Sequence, residues 1–221
     1  MPVAASAHPA EDFSPRPRGR PRKTAEGRDD GNRRRELVAG AARLFRQNGF
    51  AATSTRDIAA AAGMRSGSPF YHFKSKGDLL YAVMEEGMRA AVDKQAVVLQ
   101  ALAAQAPDPR RDLAALIRHH FDVLLGPGSD FIPVMLYEAR SLTEPQRASL
   151  ALLQAQYEAA WMPVLTALHA AGQLRGDVKL ARLLMLGALN WSVQWYKPGG
   201  AASPDDLADA ALALFIQENI G

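Results

Sequence analysis

The stretch "MRSGSPFYHFKSKGDLL", residues 64–80, gathers the chemistry that grips an anionic backbone. Arg65, Ser66, Gly67 and Ser68 lie beside Tyr71, His72, Lys74 and Lys76. Hydroxyl, amide and ammonium donors at this density can bond phosphate oxygens, while Gly67 and Ser68 allow close approach of the backbone. Arg65, Ser66 and Ser68 are the candidates for base edges or phosphates. Tyr71, His72, Lys74 and Lys76 are the candidates for phosphates. Phe70 and Phe73 read instead as core, against Leu44, Phe45 and Ile58.

Upstream, "RPRGRPRK" contains Arg18-Gly19-Arg20-Pro21. An extended Arg-Gly-Arg fits a narrow A·T-rich minor groove, and the same residues suit a tail that binds phosphates without sequence preference. Residues 1–80 carry 15 Lys and Arg against 8 Asp and Glu, a net of +7, while residues 81–221 carry 11 against 15, a net of −4. A basic end joined to a mildly acidic body fits a polyanion-binding module attached to one with another task.

The body has an aromatic and sulfur-rich set, with Met135, Trp161, Trp191 and Trp195. These residues suit a core, a dimer interface or the wall of a ligand cavity. Tyr137, Arg140, Arg147 and Gln194 are the candidate polar anchors. His119 and His120 are adjacent, so on a helix they point about 100° apart and suit one metal ion poorly; a pocket edge or the surface is the expected place. No metal site and no cofactor is expected. There is no G-x-S-x-G elbow, no G-x-G-x-x-G and no P-loop, so catalysis finds no support. The absence of Cys excludes disulfides and thiolate sites. The first residues show no charged start with an apolar run, and the longest apolar stretch is too short for a bilayer span, so a cytoplasmic protein without membrane contact is expected.

These groups need a scaffold, and the sequence between them is helical throughout. Residues 1–31 are poor in large apolar side chains and read as a disordered basic arm. "RRRELVAGAARLFRQNGF" places Leu37, Ala41, Leu44 and Phe45 on one face, and Gly49 ends it. Ser54 and Asp57 are spaced as a capping box for a short second helix ending at Gly63. A third short helix begins near Ser66, with Pro69 in its first turn. Ser75, Asp108 and Ser203 each start a further helix. Residues 143–172 form one long helix that kinks near Pro163. "DVKLARLLMLGALNWSVQWY" is apolar almost all round and should be buried on most sides. The sum is an all-α protein of about nine helices: an arm (1–31), a three-helix head with a helix-turn-helix (32–80) and a helical body (81–221).

The run from "RRRELVAGAARLF" through "NGFAATSTRDIAAAAG" to "YHFKSKGDLLYAV" resembles the N-terminal domain of the TetR family of transcriptional regulators. The resemblance implies a homodimer that binds double-stranded DNA, each subunit having a DNA-reading head and a body that takes a small-molecule effector. Two positions depart from the family pattern, Pro69 for Leu and Phe70-Tyr71 for Tyr-His. The segments "EARSLTEPQR" and "NWSVQWYKPGG" are similar to bodies of members that repress lipid or sterol catabolism and respond to acyl-CoA thioesters. What these resemblances imply is a repressor released from a palindromic operator by a ligand. A ligand-independent architectural DNA-binding protein is the alternative.

Overall fold

The computed structural model describes residues 25–64 and 69–217. Among them are ten α-helices, two short 3-10 turns and no strand, the all-α architecture expected.

Helix α1 spans Ala25–Ala52 and breaks at Gly49, whose φ of 79° and ψ of 161° suit glycine almost alone. It begins inside the segment expected to be arm. The sequence there holds Glu26, Asp29 and Asp30, the sign a helix N-terminus favours. Helix α2, Thr55–Ala61, starts with a reciprocal box: the Ser54 N–H donates to the Asp57 carboxylate at 2.9 Å, and the Asp57 N–H donates to Ser54 Oγ at 3.2 Å. Helix α3 is the single turn Pro69–His72. Leu37, Ala41, Phe45, Ile58 and Phe73 close the head's core, as the apolar spacing predicts. Helices α1 and α2 cross closely at Gly40 and Ala61, where even a Cβ at position 40 would make an ordinary contact of 3.6 Å.

Helix α4, Lys76–Ala103, belongs to both halves. Leu79 and Leu80 complete the head, and Met84, Met88, Ala91 and Gln95 are buried further along. At 1.5 Å per residue its 28 residues span about 42 Å, enough to join both units rigidly.

The body comprises α5 (Pro109–Leu125), α6 (Phe131–Glu138), α7 (Glu144–Ala159), α8 (Met162–Ala170), α9 (Val178–Trp191) and α10 (Pro204–Phe215). Prolines in the first turns of α5, α7, α8 and α10 sacrifice no intrahelical bond. The kink expected near Pro163 falls at Ala160 and Trp161, which keep helical backbone angles between α7 and α8. Helix α5 is central, packed by α4, α8, α9 and α10. Helix α9 departs from the reading as buried on most sides: Leu180, Leu183, Leu184 and Trp191 are exposed on it. One chain has too few helices to cover α9.

The central place of α5 buries both histidines: His120 lines a cavity, in keeping with the expected pocket edge, while His119 is buried at neither a pocket edge nor the surface. His120 Nδ1 is 3.0 Å from the Tyr157 hydroxyl, and its ring meets Trp161 edge-on at 5.8 Å. Burial lowers His120 to about 4 from 6.5; the Asn190 side chain pulls it up, and His119 pushes it further down. Burial likewise lowers His119. A base whose pKa is depressed on folding stabilises the fold fully above its unfolded pKa, and loses that contribution as pH falls towards the folded value. Unfolding free energy should therefore drop by about 2 kcal/mol between pH 6.5 and about pH 5. The carboxylate caps Asp57 and Asp206 titrate below this window, their pKa values lowered by bonds to Ser54 and Ser203. Urea denaturation across this range checks the drop, and His120→Gln should flatten it. A midpoint constant from pH 7 to pH 5 would contradict it.

Candidate nucleic-acid interface and ligand cavity

The head turns its polar face outward at α3. Tyr71 is 80 % exposed, with the His72 ring edge-on at 5.2 Å, and Lys74 follows, also exposed. These three stand where a polyanion could reach them. Arg18, Arg20, Arg65, Ser66, Gly67 and Ser68 lie outside the described residues.

Lys76 is engaged within the chain. Its ammonium donates to the carbonyls of Phe50 at 2.7 Å, Thr53 at 2.8 Å and Ala51 at 3.5 Å, and it sits 4.3 Å from the Phe50 ring centroid. In the free chain its donors point to the end of α1 and the turn after it, so Lys76 ties α4 to the turn before α2. Thr53, buried in the same turn, donates to the Gly49 carbonyl at 2.8 Å. The helix-turn-helix is thus fixed internally by side chains read from sequence as DNA ligands or not noticed at all.

Helix α6 joins head to body at both its ends. At its start, Asp130 accepts from Arg46 of α1 at 2.8 Å. At its finish, Glu138 Oε1 accepts from the Phe50 N–H at 2.9 Å. Gly49 permits this approach, since a Cβ there would lie 3.3 Å from the same oxygen. Phe131 also seats its ring on Gly87 of α4, where a Cβ would come within 2.2 Å of it. Only a residue without a side chain admits that packing.

The other side of α6 forms the wall of a small, partly open cavity of about 40 Å³. Ile132 and Met135 of α6 face Met88 and Ala91 of α4, Val123 of α5 and Leu186 of α9 across it. Polar groups enter from His120, Tyr157, Asn190, Gln154 and Glu158. This is the composition of a ligand site: mostly apolar, with a few placed polar groups. Glu158 is held by an ion pair with Arg182 of α9.

Of the ligand residues expected from sequence, Met135 lines this cavity. Trp161 lies wholly buried behind His120. Trp191 and Trp195 are 64 % and 53 % exposed, and Gln194 is exposed near them, because the chain turns outward as α9 ends. Tyr137 is half exposed on the outer face of α6. Arg140 is exposed in the following turn, and Arg147 is taken by the Leu142 carbonyl and by Glu144 at 2.5 Å. Isolated aromatics and arginines were read as a pocket, yet the cavity is built where α4 to α7 and α9 meet. His120 was expected at a pocket edge or the surface, but its grouping with Tyr157 and Asn190 was missed because the three come from three helices; their only sequence signal is a polar residue on an apolar face. Among the described residues no three His, Asp or Glu are grouped to hold a metal ion. No described helix is long and apolar enough to cross a membrane.

The match to known proteins follows the same division. The model for bacterial regulatory proteins of the tetR family matches residues 37–83, and that for the tetracyclin repressor-like C-terminal domain matches residues 106–218. The HTH-type transcriptional repressor KstR2 of Rhodococcus jostii (strain RHA1) is 32 % identical over 189 residues, 83 % of this chain and 89 % of that one. The structure of AibR in complex with isovaleryl coenzyme A and operator DNA is similar with a TM-score of 0.73 at 27 % identity, over 83 % of this chain and 97 % of that one. That of the superantigen PfiT is similar with a TM-score of 0.67 at 37 % identity, over 85 % and 97 %. A head with Tyr71 and Lys74 exposed, a strut to an apolar cavity and matches to both domain models lead to one conclusion: the chain belongs to the TetR family of transcriptional regulators.

Proposed function

We propose that this protein is a cytoplasmic homodimeric repressor, released from a palindromic operator by an apolar small-molecule effector carried as an acyl-CoA thioester. The observation that carries the reading is the position of α6, which lines the cavity and is bonded to α1 of the head at both ends. A ligand that shifts Ile132 or Met135 pushes the same rigid piece that holds Phe50. Such a ligand must bind the DNA-incompetent arrangement more tightly, and a tenfold loss of operator affinity needs only about 1.4 kcal/mol of difference.

The likeness to a repressor and to a protein crystallised with an acyl-CoA and operator DNA supports this reading. The CoA head would remain outside the cavity. Lys94, beside the neighbouring Ala91 and Val123, supplies positive charge for its phosphates, together with the exposed Arg140. A second copy is the natural cover for the exposed leucines of α9, with Leu214 of α10. The architectural alternative gives no role to the cavity or to its link with the head.

Three outcomes follow. Footprinting should reveal a near-palindromic site, and Tyr71→Ala with Lys74→Ala should weaken it about tenfold and flatten its salt dependence; no protection on any palindrome would contradict this. Leu184→Glu, a change at a side chain 71 % exposed in the single chain, should leave helix content intact. Sedimentation should show it monomeric, with operator binding lost. Glu138→Ala should bind octanoyl-CoA within about twofold of the parent, while octanoyl-CoA loses most of its roughly tenfold effect on operator affinity. Calorimetry and gel shift in parallel measure both, and full release in the variant would remove α6 from the mechanism.

A further inference from the structure

We propose that the cavity recognises a neutral carbonyl oxygen on its otherwise apolar ligand, through a hydrogen bond donated by His120 Nε2–H. The inference deepens the effector-cavity reading and rests on it. An alkyl chain alone would be served best by an apolar floor. Here the floor holds an imidazole, a phenol and a carboxamide from α5, α7 and α9.

The donor assignment follows from local chemistry. The Tyr157 phenol is buried, and its hydrogen bond goes to His120 Nδ1 at 3.0 Å. Burial pushes this phenol up, so its proton stays on and needs an acceptor. Nδ1 therefore accepts, and in the neutral ring the remaining proton sits on Nε2. That atom is buried and makes no hydrogen bond of good geometry in the chain; the Asn190 side chain, which pulls the His120 pKa up, lies on the same wall without satisfying it. His120 lines the cavity, so the atom's unfilled bonding capacity belongs to whatever occupies it.

A neutral N–H in an apolar cleft prefers a neutral oxygen to a carboxylate, whose desolvation it cannot offset. The Asn190 amide, on the same cavity wall, offers a second donor to that oxygen. A site built this way discriminates strongly, because a ligand lacking the oxygen leaves Nε2–H buried and unpaired. The carbonyl belongs either to the thioester itself or to a ketone further along the ligand.

The test uses the full-length protein with 2-octanone and its isostere 2-methyl-1-octene, in which C=CH2 replaces C=O. The ratio of their dissociation constants is compared between the parent, His120→Phe and His120→Gln by calorimetric titration. The preference for the ketone should fall about tenfold in His120→Phe. It should largely return in His120→Gln, whose amide N–H reaches about as far as Nε2. Tyr157→Phe, which frees Nδ1 and unlocks the tautomer, should fall between the two; it also keeps the test open should His120→Phe fold poorly. A ratio unchanged by these substitutions, or no binding of either probe, overturns the proposal. Octanoyl-CoA against its thioether S-octyl-CoA then locates the oxygen. A His120-dependent preference for the ester assigns it to the thioester, and its absence assigns it to a ketone on the ligand body. Octanoyl-CoA that neither binds nor releases operator overturns the acyl-CoA reading alone, because the ketone pair carries no CoA.

Discussion

The bond from the Phe50 N–H to the Glu138 carboxylate is the joint on which the account turns. It links the chain end of α1 to the last turn of α6, 88 residues away in sequence and partly buried. A hydrogen bond to a charged acceptor at such a place contributes about 1.5–3 kcal/mol. The Arg46 to Asp130 pair at the other end has an arginine side chain 51 % exposed, and pairs of that kind contribute about 0–1 kcal/mol. The first bond therefore carries the link and the second sets its direction. Its strength matches the coupling that ligand-controlled DNA release requires, so one joint is enough.

Everything around that joint keeps it narrow. Gly49 leaves room for the carboxylate, and its backbone angles let the chain turn sharply towards Phe50. Lys76 holds the Phe50, Ala51 and Thr53 carbonyls from the opposite side, so α4 and α6 grip the same few residues. Phe131 on Gly87 then fixes α6 to α4. A shift of α6 cannot be absorbed by a soft loop at any of these contacts; it must move the head or be resisted by it.

The local rules were legible in the sequence. The boxes at Ser54 with Asp57 and Ser203 with Asp206, the Asp108 cap, the first-turn prolines and the head's apolar stripe are all set within a few residues. What escaped was set by distance. Glu138, Arg182 and the trio His120, Tyr157 and Asn190 have roles only because helices far apart in sequence meet. The tie from Lys76 to the Phe50 and Thr53 carbonyls also escaped, because an ammonium near a DNA-reading helix has the same composition signal whether it faces phosphate or carbonyl. Helix α9 misled for a different reason: its hydrophobicity was read correctly, but burial was assigned to one chain when its exposed leucines ask for a second.

Hydrogen exchange at the Phe50 amide tests the central claim most directly. In the free protein that N–H should be protected well beyond its neighbours in the turn, because Glu138 holds it. With saturating octanoyl-CoA the protection should fall about tenfold or more as α6 moves, while the amides in the centre of α1 keep theirs. Unchanged protection at Phe50, with octanoyl-CoA bound and operator released, would show that the signal reaches the head by another route.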